Sequence, residues 1–277
     1  MRTPSERTIL VTGATSGLGR ALAHRLAAAG SRVLIHGRSA ERTEETRAEI
    51  AAATGSDRLD AVLADLTELR QVARLANDVR LRCDRLDVLV NNAGTGSGAP
   101  GAGREESADG IELRFAVNYL AGYHLTRLLQ SLLIASAPAR VVNVASAGQH
   151  PIDFDDPMLV GNYFGTRAYA QSKLAQIMFT FDLAEQLRGS GVSVNALHPA
   201  TYMNTAMVRE AGVSPVSTVA EGVDATMRLV ADPGLDEVTG GYFHGTRPCR
   251  ALEQAYDAQA RAQLRDLSDK LIEQARD

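Results

Sequence analysis

Residues 8–11 (TILV) run straight into Thr12-Gly13-Ala14-Thr15-Ser16-Gly17-Leu18-Gly19, and apolar positions then recur at helical spacing from 18 to 29, where Gly30 stops them. A short apolar strand, a glycine turn and a helix in that order form the opening of a dinucleotide-binding fold. The glycines let the backbone approach a pyrophosphate, and the helix N-terminus favours its negative charge. The spacing is G-x3-G-x-G rather than the usual G-x-G-x-x-G. A tight turn that holds no ligand is the competing reading.

The strand–turn–helix pattern then repeats. Residues 32–36 read as a second strand, leading to Gly37-Arg38-Ser39. NAD binders usually carry a carboxylate near this point for the ribose 2′-hydroxyl, but no Asp or Glu occurs until Glu41. Arg38 stands there instead, and its planar fork suits a 2′-phosphate. NADP(H) is therefore the expected cofactor, with NAD(H) the other option; the bland reading is an exposed helix-start arginine. Further strands are expected at 59–64, 86–90, 139–144, 192–197 and 242–243. Helices are expected at 40–53, 67–83, 108–136, up to 188, at 218–231 and at 250–275. This alternation calls for a single-domain α/β fold over 1–277: a Rossmann-type doubly wound parallel sheet of about seven strands, with helices on both faces. Residues 95–103 (TGSGAPGAG) are either a surface tip or a lid, and 149–166 and 200–216 read as irregular, substrate-facing segments.

Tyr169 and Lys173 lie four apart on the helix that ends near 188, so phenol and ammonium share one face. A phenol near its reference pKa of about 10 hardly ionises at neutral pH; a nearby cation favours phenolate and draws the tyrosine toward proton transfer. Alone the pair is weak. Topology adds Ser146 after the fifth strand and Asn118 on the helix before it, all at the carboxyl edge where doubly wound sheets bind ligands. The net charge of −4, with no dense basic cluster, argues against nucleic acid. No signal peptide or apolar run of about 18 residues is seen, so no membrane anchor and a cytoplasmic location are expected. Cys83, Cys249 and the six scattered histidines have no metal-ligand spacing.

The segments TGATSGLG (12–19), Asp65-Leu66, NNAG (91–94), Asn118, Ser146, YAQSK (169–173) and HPAT (198–201) together make the chain resemble the short-chain dehydrogenase/reductase family over about residues 7–245. NALHP (195–199), YAQSKLAQIMFTFDLAEQL (169–187), FDDP (154–157) and GGYF (240–243) are similar to its retinol-dehydrogenase-like branch. The resemblance implies an NAD(P)(H)-dependent oxidoreductase that interconverts a carbonyl and an alcohol on a hydrophobic or polycyclic small molecule. It implies that Tyr169 is the acid/base, that Ser146 orients the oxygen, that Lys173 lowers the phenol pKa and holds the nicotinamide ribose, and that Asn118 positions a water. Gly13, Thr15, Ser16, Gly17, Leu18 and Gly19 would line the pyrophosphate, Asp65 and Leu66 the adenine, and Asn91, Asn92, Ala93 and Gly94 the ribose side. Pro199 and Thr201 are candidates for the carboxamide and phosphates. Thr205 is another, because Asn204 stands where most relatives have threonine, and Ala200 where they have glycine. A conjugated C=C reductase and a non-catalytic dinucleotide-sensing protein are the alternatives. A homodimer or homotetramer would use the Asn118 and Tyr169 helices, with Tyr119 and Tyr123 as core or dimer-contact aromatics.

Overall fold

Strands covered on both faces must be apolar nearly throughout. β1 (Thr8–Val11), β4 (Val88–Asn91), β5 (Ala139–Val144) and β6 (Val192–His198) are buried at every position. In the computed structural model, which describes residues 3–275, they form the middle of one sheet. The outermost two residues at each end of the expected 1–277 domain lie outside the described residues. With β2 (Arg32–Gly37), β3 (Leu59–Leu63), β7 (Gly241–His244) and β8 (Arg247–Pro248), the order is β3-β2-β1-β4-β5-β6-β7-β8. All neighbours are parallel except β7 and β8. The eighth strand is a two-residue return, too short to show alternation in sequence. β1 pairs with both β2 and β4, so the winding reverses there and opens a crevice at the carboxyl ends.

Alternation along each strand divides the core between the two faces. Ile9, Val11, Val33, Ile35, Val88 and Val90 pack under α1 (Gly17–Ala28), α2 (Ala40–Thr54) and, farther along the chain, Val219–Ala231. Leu10, Leu34 and Leu89 join the opposite cluster, with α3 (Leu69–Arg82), α4 (Ala121–Ala135) and α5 (Gly165–Gln186).

Three expected segments shift. The helix expected over 108–136 begins later, because residues 106–112 close a small turn: Glu106 bridges Glu112, and Ser107 N donates to Ile111 O at 2.7 Å. Asp109, read as part of a helix, instead accepts the first amide of α3 from Leu69 at 2.7 Å. Asn118 then sits in a π-helical stretch, Phe115–Leu120, that feeds α4. The irregular 200–216 segment contains one short helix, α6 (Ala206–Glu210), capped by Thr205. α7 is Val219–Ala231, and the terminal helix α8 (Ala258–Gln274) starts only at the Asp257 cap, after a 3-10 turn at Glu253–Tyr256.

α8 lies over α4 and α5. Arg265 binds Asp182 at 2.8 Å, the Tyr123 hydroxyl donates to Asp269 at 2.7 Å, and the Tyr119 hydroxyl pairs with Ser268 at 2.7 Å. The two tyrosines are therefore core aromatics facing this chain's own last helix. Among the described residues, no helix is long and apolar enough to cross a membrane, and no group of His, Cys, Asp and Glu could hold a metal ion.

Candidate active site

The glycine turn sits at the β1/β4 crevice and is built so that side chains have no room. Gly13 and Gly17 have φ of 64° and 51°, in the left-handed region that glycine tolerates. A Cβ on Gly13 would come 2.8 Å from Ala93 Cα, and one on Gly19 would overlap the Gly13 carbonyl and the Asn92 amide. The turn is pinned from below. Thr12 Oγ1 accepts from Asn92 N and Ala93 N at 2.9 and 3.0 Å, and Asn92 Nδ2 donates to Thr12 O at 2.8 Å. His36 Nδ1 accepts from Gly13 N at 3.0 Å, and its Nε2 donates to Ala64 O at 3.2 Å. Burial pulls this imidazole down to about 4, so it stays neutral and keeps that acceptor. Ser16 makes no side-chain cap to α1, so the helix start faces the crevice with orphan N–H groups. This cradle fits a pyrophosphate. Thr15 packs against Gly37, and the Thr205 methyl closes over Gly17, 3.4 Å from where its Cβ would be. Buried Leu18 anchors the turn to the core.

The neighbouring candidates divide. Arg38 is exposed just past β2 and makes no hydrogen bond or ion pair among the described residues. Asp65 uses Oδ1 to accept Thr67 N at 3.0 Å, beside buried Leu66. Asn91, expected on the ribose side, points inward instead: its Nδ2 donates to Thr126 and Asn143 at 2.9 and 2.8 Å. The Asn92 side chain likewise braces the turn. Pro199 is buried, whereas Thr201 is exposed and bound to His198 Nε2 at 3.0 Å.

Ser146, Tyr169 and Lys173 converge beyond β5. The Ser146 hydroxyl accepts from Gly148 N at 3.1 Å and lies near enough to the Tyr169 phenol to favour its ionised form. Lys173 Nζ, 5.8 Å from that ring's centre, donates to Val144 O at 2.8 Å. Gly94 is the close-approach point, since a Cβ there would lie 3.7 Å from Lys173 Nζ and 3.1 Å from Asn118 Oδ1. Burial holds the Tyr169 phenol above its ordinary value, with the nearby Ser146 hydroxyl acting the other way. Burial alone pulls Lys173 down to about 7. Burial is thus the dominant influence on both groups, and the ammonium stands over the face of the Tyr169 ring. Asn118 borders the same glycine, Gly94. Its side chain is taken by Thr95 N and O at 2.7 and 3.0 Å and by Ser172 at 2.9 Å, so it ties the end of β4 to α5.

A model of short-chain dehydrogenases matches residues 7–214. Mouse retinol dehydrogenases 14 and 13 are 34% and 36% identical, each over 96% of this chain and over 86% and 84% of their own length. The chain belongs to the short-chain dehydrogenase family. It is an NAD(P)-dependent oxidoreductase acting on CH–OH donors, with a small-molecule substrate. A family structure from Escherichia coli CFT073, solved with NADPH, superposes with a TM-score of 0.72 at 27% identity, covering 87% of this chain and 96% of that one.

Three residues around this dehydrogenase site carry no sequence signal. His36 acts on a turn 23 residues away. Tyr242, from β7, donates to Ser146 O at 2.9 Å and sets the strand end that presents the serine. Buried Arg114 fastens together the segments 95–103 and 149–166, which with 200–216 cover the crevice, donating to Gly96 O at 3.1 Å and to the Tyr163 hydroxyl at 2.6 Å. A charged residue on a helix looks solvated until the fold puts loops on both sides of it.

Proposed function

We propose that this dehydrogenase interconverts a carbonyl and an alcohol on a hydrophobic small molecule, prefers NADP(H), and uses Tyr169 as general acid and base. The observation that carries the reading is the convergence of Ser146 and Tyr169, with Lys173 one helical turn along, beside the glycine cradle. A bound nicotinamide dinucleotide supplies the hydride. Gly13, Ser16, Gly17, Leu18 and Gly19 would hold its pyrophosphate through backbone N–H groups, and Arg38, exposed just past β2, would meet a 2′-phosphate. Ser146 donates to the substrate oxygen and orients it. Tyr169 gives its proton to that oxygen during reduction and takes it back during oxidation. The Lys173 ammonium favours the phenolate that forms once Tyr169 has given up its proton.

A hydrophobic substrate is supported by Val160, Phe164, Tyr202 and Val216, apolar side chains left 73%, 61%, 52% and 69% exposed on the segments beside the site. The similar proteins are named for retinol, so retinal with NADPH is the first probe, followed by aliphatic and cyclic ketones. Tyr169→Phe is expected to lower kcat about 10²- to 10⁴-fold while leaving NADPH affinity unchanged. Turnover that survives the substitution would refute the role. Product analysis separates this reaction from alkene reduction, which leaves the carbonyl in place.

A further inference from the structure

Lys173 is a buried cation with no carboxylate partner among the described residues. Its ammonium has three N–H donors and no acceptor. Two of them are taken on the sheet side of α5, one by Val144 O and one by Gln176 Oε1, both at 2.8 Å. The third remains for the side of Gly94 and Tyr169. Gln176 lies three residues along the same helix, is 3% exposed, and must present its oxygen rather than its amide nitrogen, since a lysine can only donate.

We propose that Gln176 is a positioning residue, whose amide oxygen holds the Lys173 ammonium at the point from which it acts on the Tyr169 phenol. The inference rests on the acid–base reading of Tyr169 for its consequence in turnover, but not for its effect on Lys173 itself. A neutral acceptor is a compromise between two failures. A hydrocarbon in its place would leave a buried N–H unpaired and drive the lysine toward the free amine. A carboxylate would lock the ammonium into an ion pair and hold its proton to higher pH. The other groups facing the lysine do not set its charge. Tyr169 shares its helix, and the Asn118 amide, from the π-helical stretch, borders Gly94 on the same side. Burial away from water brings the ammonium down to about 7.

The test uses Gln176→Glu and Gln176→Met in the full chain, with two readouts. In the cofactor-free protein, Lys173 loses its proton at lower pH than in the unfolded chain. Thermal stability therefore gains with pH from about 7 toward the unfolded value near 10.4, as the unfolded chain holds a proton the folded one has released. Gln176→Glu is expected to move the onset of this gain up by about one pH unit, and Gln176→Met to move it down by a similar amount. The alkaline limb of kcat/KM for NADPH-dependent reduction of the best carbonyl in the panel shifts in the same two directions. If Gln176→Met does not fold, Gln176→Asn replaces it, drawing the oxygen back by one methylene and shifting both readouts downward. Unchanged onsets and limbs, or shifts of both variants in one direction as a packing role would give, overturn the proposal. Should Tyr169→Phe keep its turnover, the acid–base reading fails, and the stability readout still decides on Gln176.

Discussion

Around Gly13 and Gly19 the directions a side chain would take are filled by backbone or by a bracing amide, while across the crevice the cover segments hold Val160, Phe164, Tyr202 and Val216 out in solvent. The left-handed backbone follows the same division. At the nucleotide end it falls on glycines, with φ of 64° at Gly13 and 51° at Gly17. In the cover it falls on Gly98, Gly101 and Gly212 but also on Leu159 and Tyr202, at 52° and 44°, where a side chain makes that conformation cost on the order of 1 kcal/mol. One end is therefore shaped by what the protein excludes from it. The other keeps apolar surface and some backbone strain in reserve for contacts that the protein itself does not make. On the proposed reading, the nucleotide end selects the cofactor class and the cover selects the substrate.

The contrast breaks most visibly at Gly19. Gly19→Ala puts a methyl against the Gly13 carbonyl and the Asn92 amide, both of which are tied into the turn and have no free path to retreat. Overpacking of this kind costs about 2–3 kcal/mol. The expected result is a clear drop in Tm and roughly 100-fold weaker NADPH binding in a fluorescence titration. Normal binding would mean that the cradle is soft and that the glycines are not what shapes it. Arg38 tests the same end through charge rather than volume. Its side chain has no competing partner among the described residues, so Arg38→Ala should leave stability within about 0.5 kcal/mol. It should cost about 1.5–3 kcal/mol of NADPH affinity, roughly 10- to 100-fold, and little of NADH affinity. Equal losses for the two cofactors would remove the NADP(H) preference.

The same division governs what can be read from sequence. The glycine turn, the buried strands and the Tyr169/Lys173 pair are local: a strand covered on both faces is apolar throughout, and residues four apart on a helix must share a side. Three-dimensional partnership is not local. Asp109 sits at helical spacing in sequence, yet its carboxylate caps α3 forty residues earlier, so the helix carrying Asn118 begins late. Asn91 and Asn92 resemble cofactor ligands by motif, but their amides are consumed by Asn143, Thr126 and the Thr12 carbonyl. Gln176 reads in sequence as an ordinary polar position on the Tyr169 helix. Only burial, and the reach of Lys173, turn it into an acceptor. The shape of the cover stays out of reach for the same reason, since Arg114 organises it through partners on two separate loops.

Phe164 offers the sharpest test of the cover, because two effects pull in opposite directions there. It is the N-cap of α5: its carbonyl accepts Ala168 N at 2.9 Å, and its side chain caps nothing. Serine is among the best residues for that position, where its hydroxyl can accept an orphan N–H of the first turn, a gain of about 1 kcal/mol. The phenyl ring it replaces is 61% exposed, so little packing is lost. Phe164→Ser should therefore raise Tm by a few degrees, on the order of 2–4 °C for a chain of this size. Loss of part of the apolar rim should at the same time raise KM for a hydrophobic carbonyl about three- to tenfold, with kcat unchanged, as expected for a contact made equally in the ground and transition states. A variant that is less stable would show the ring to be part of the fold. One that is more stable with an unchanged KM would show that the rim does not touch the substrate, and would move the choice of substrate to the 200–216 side of the cover.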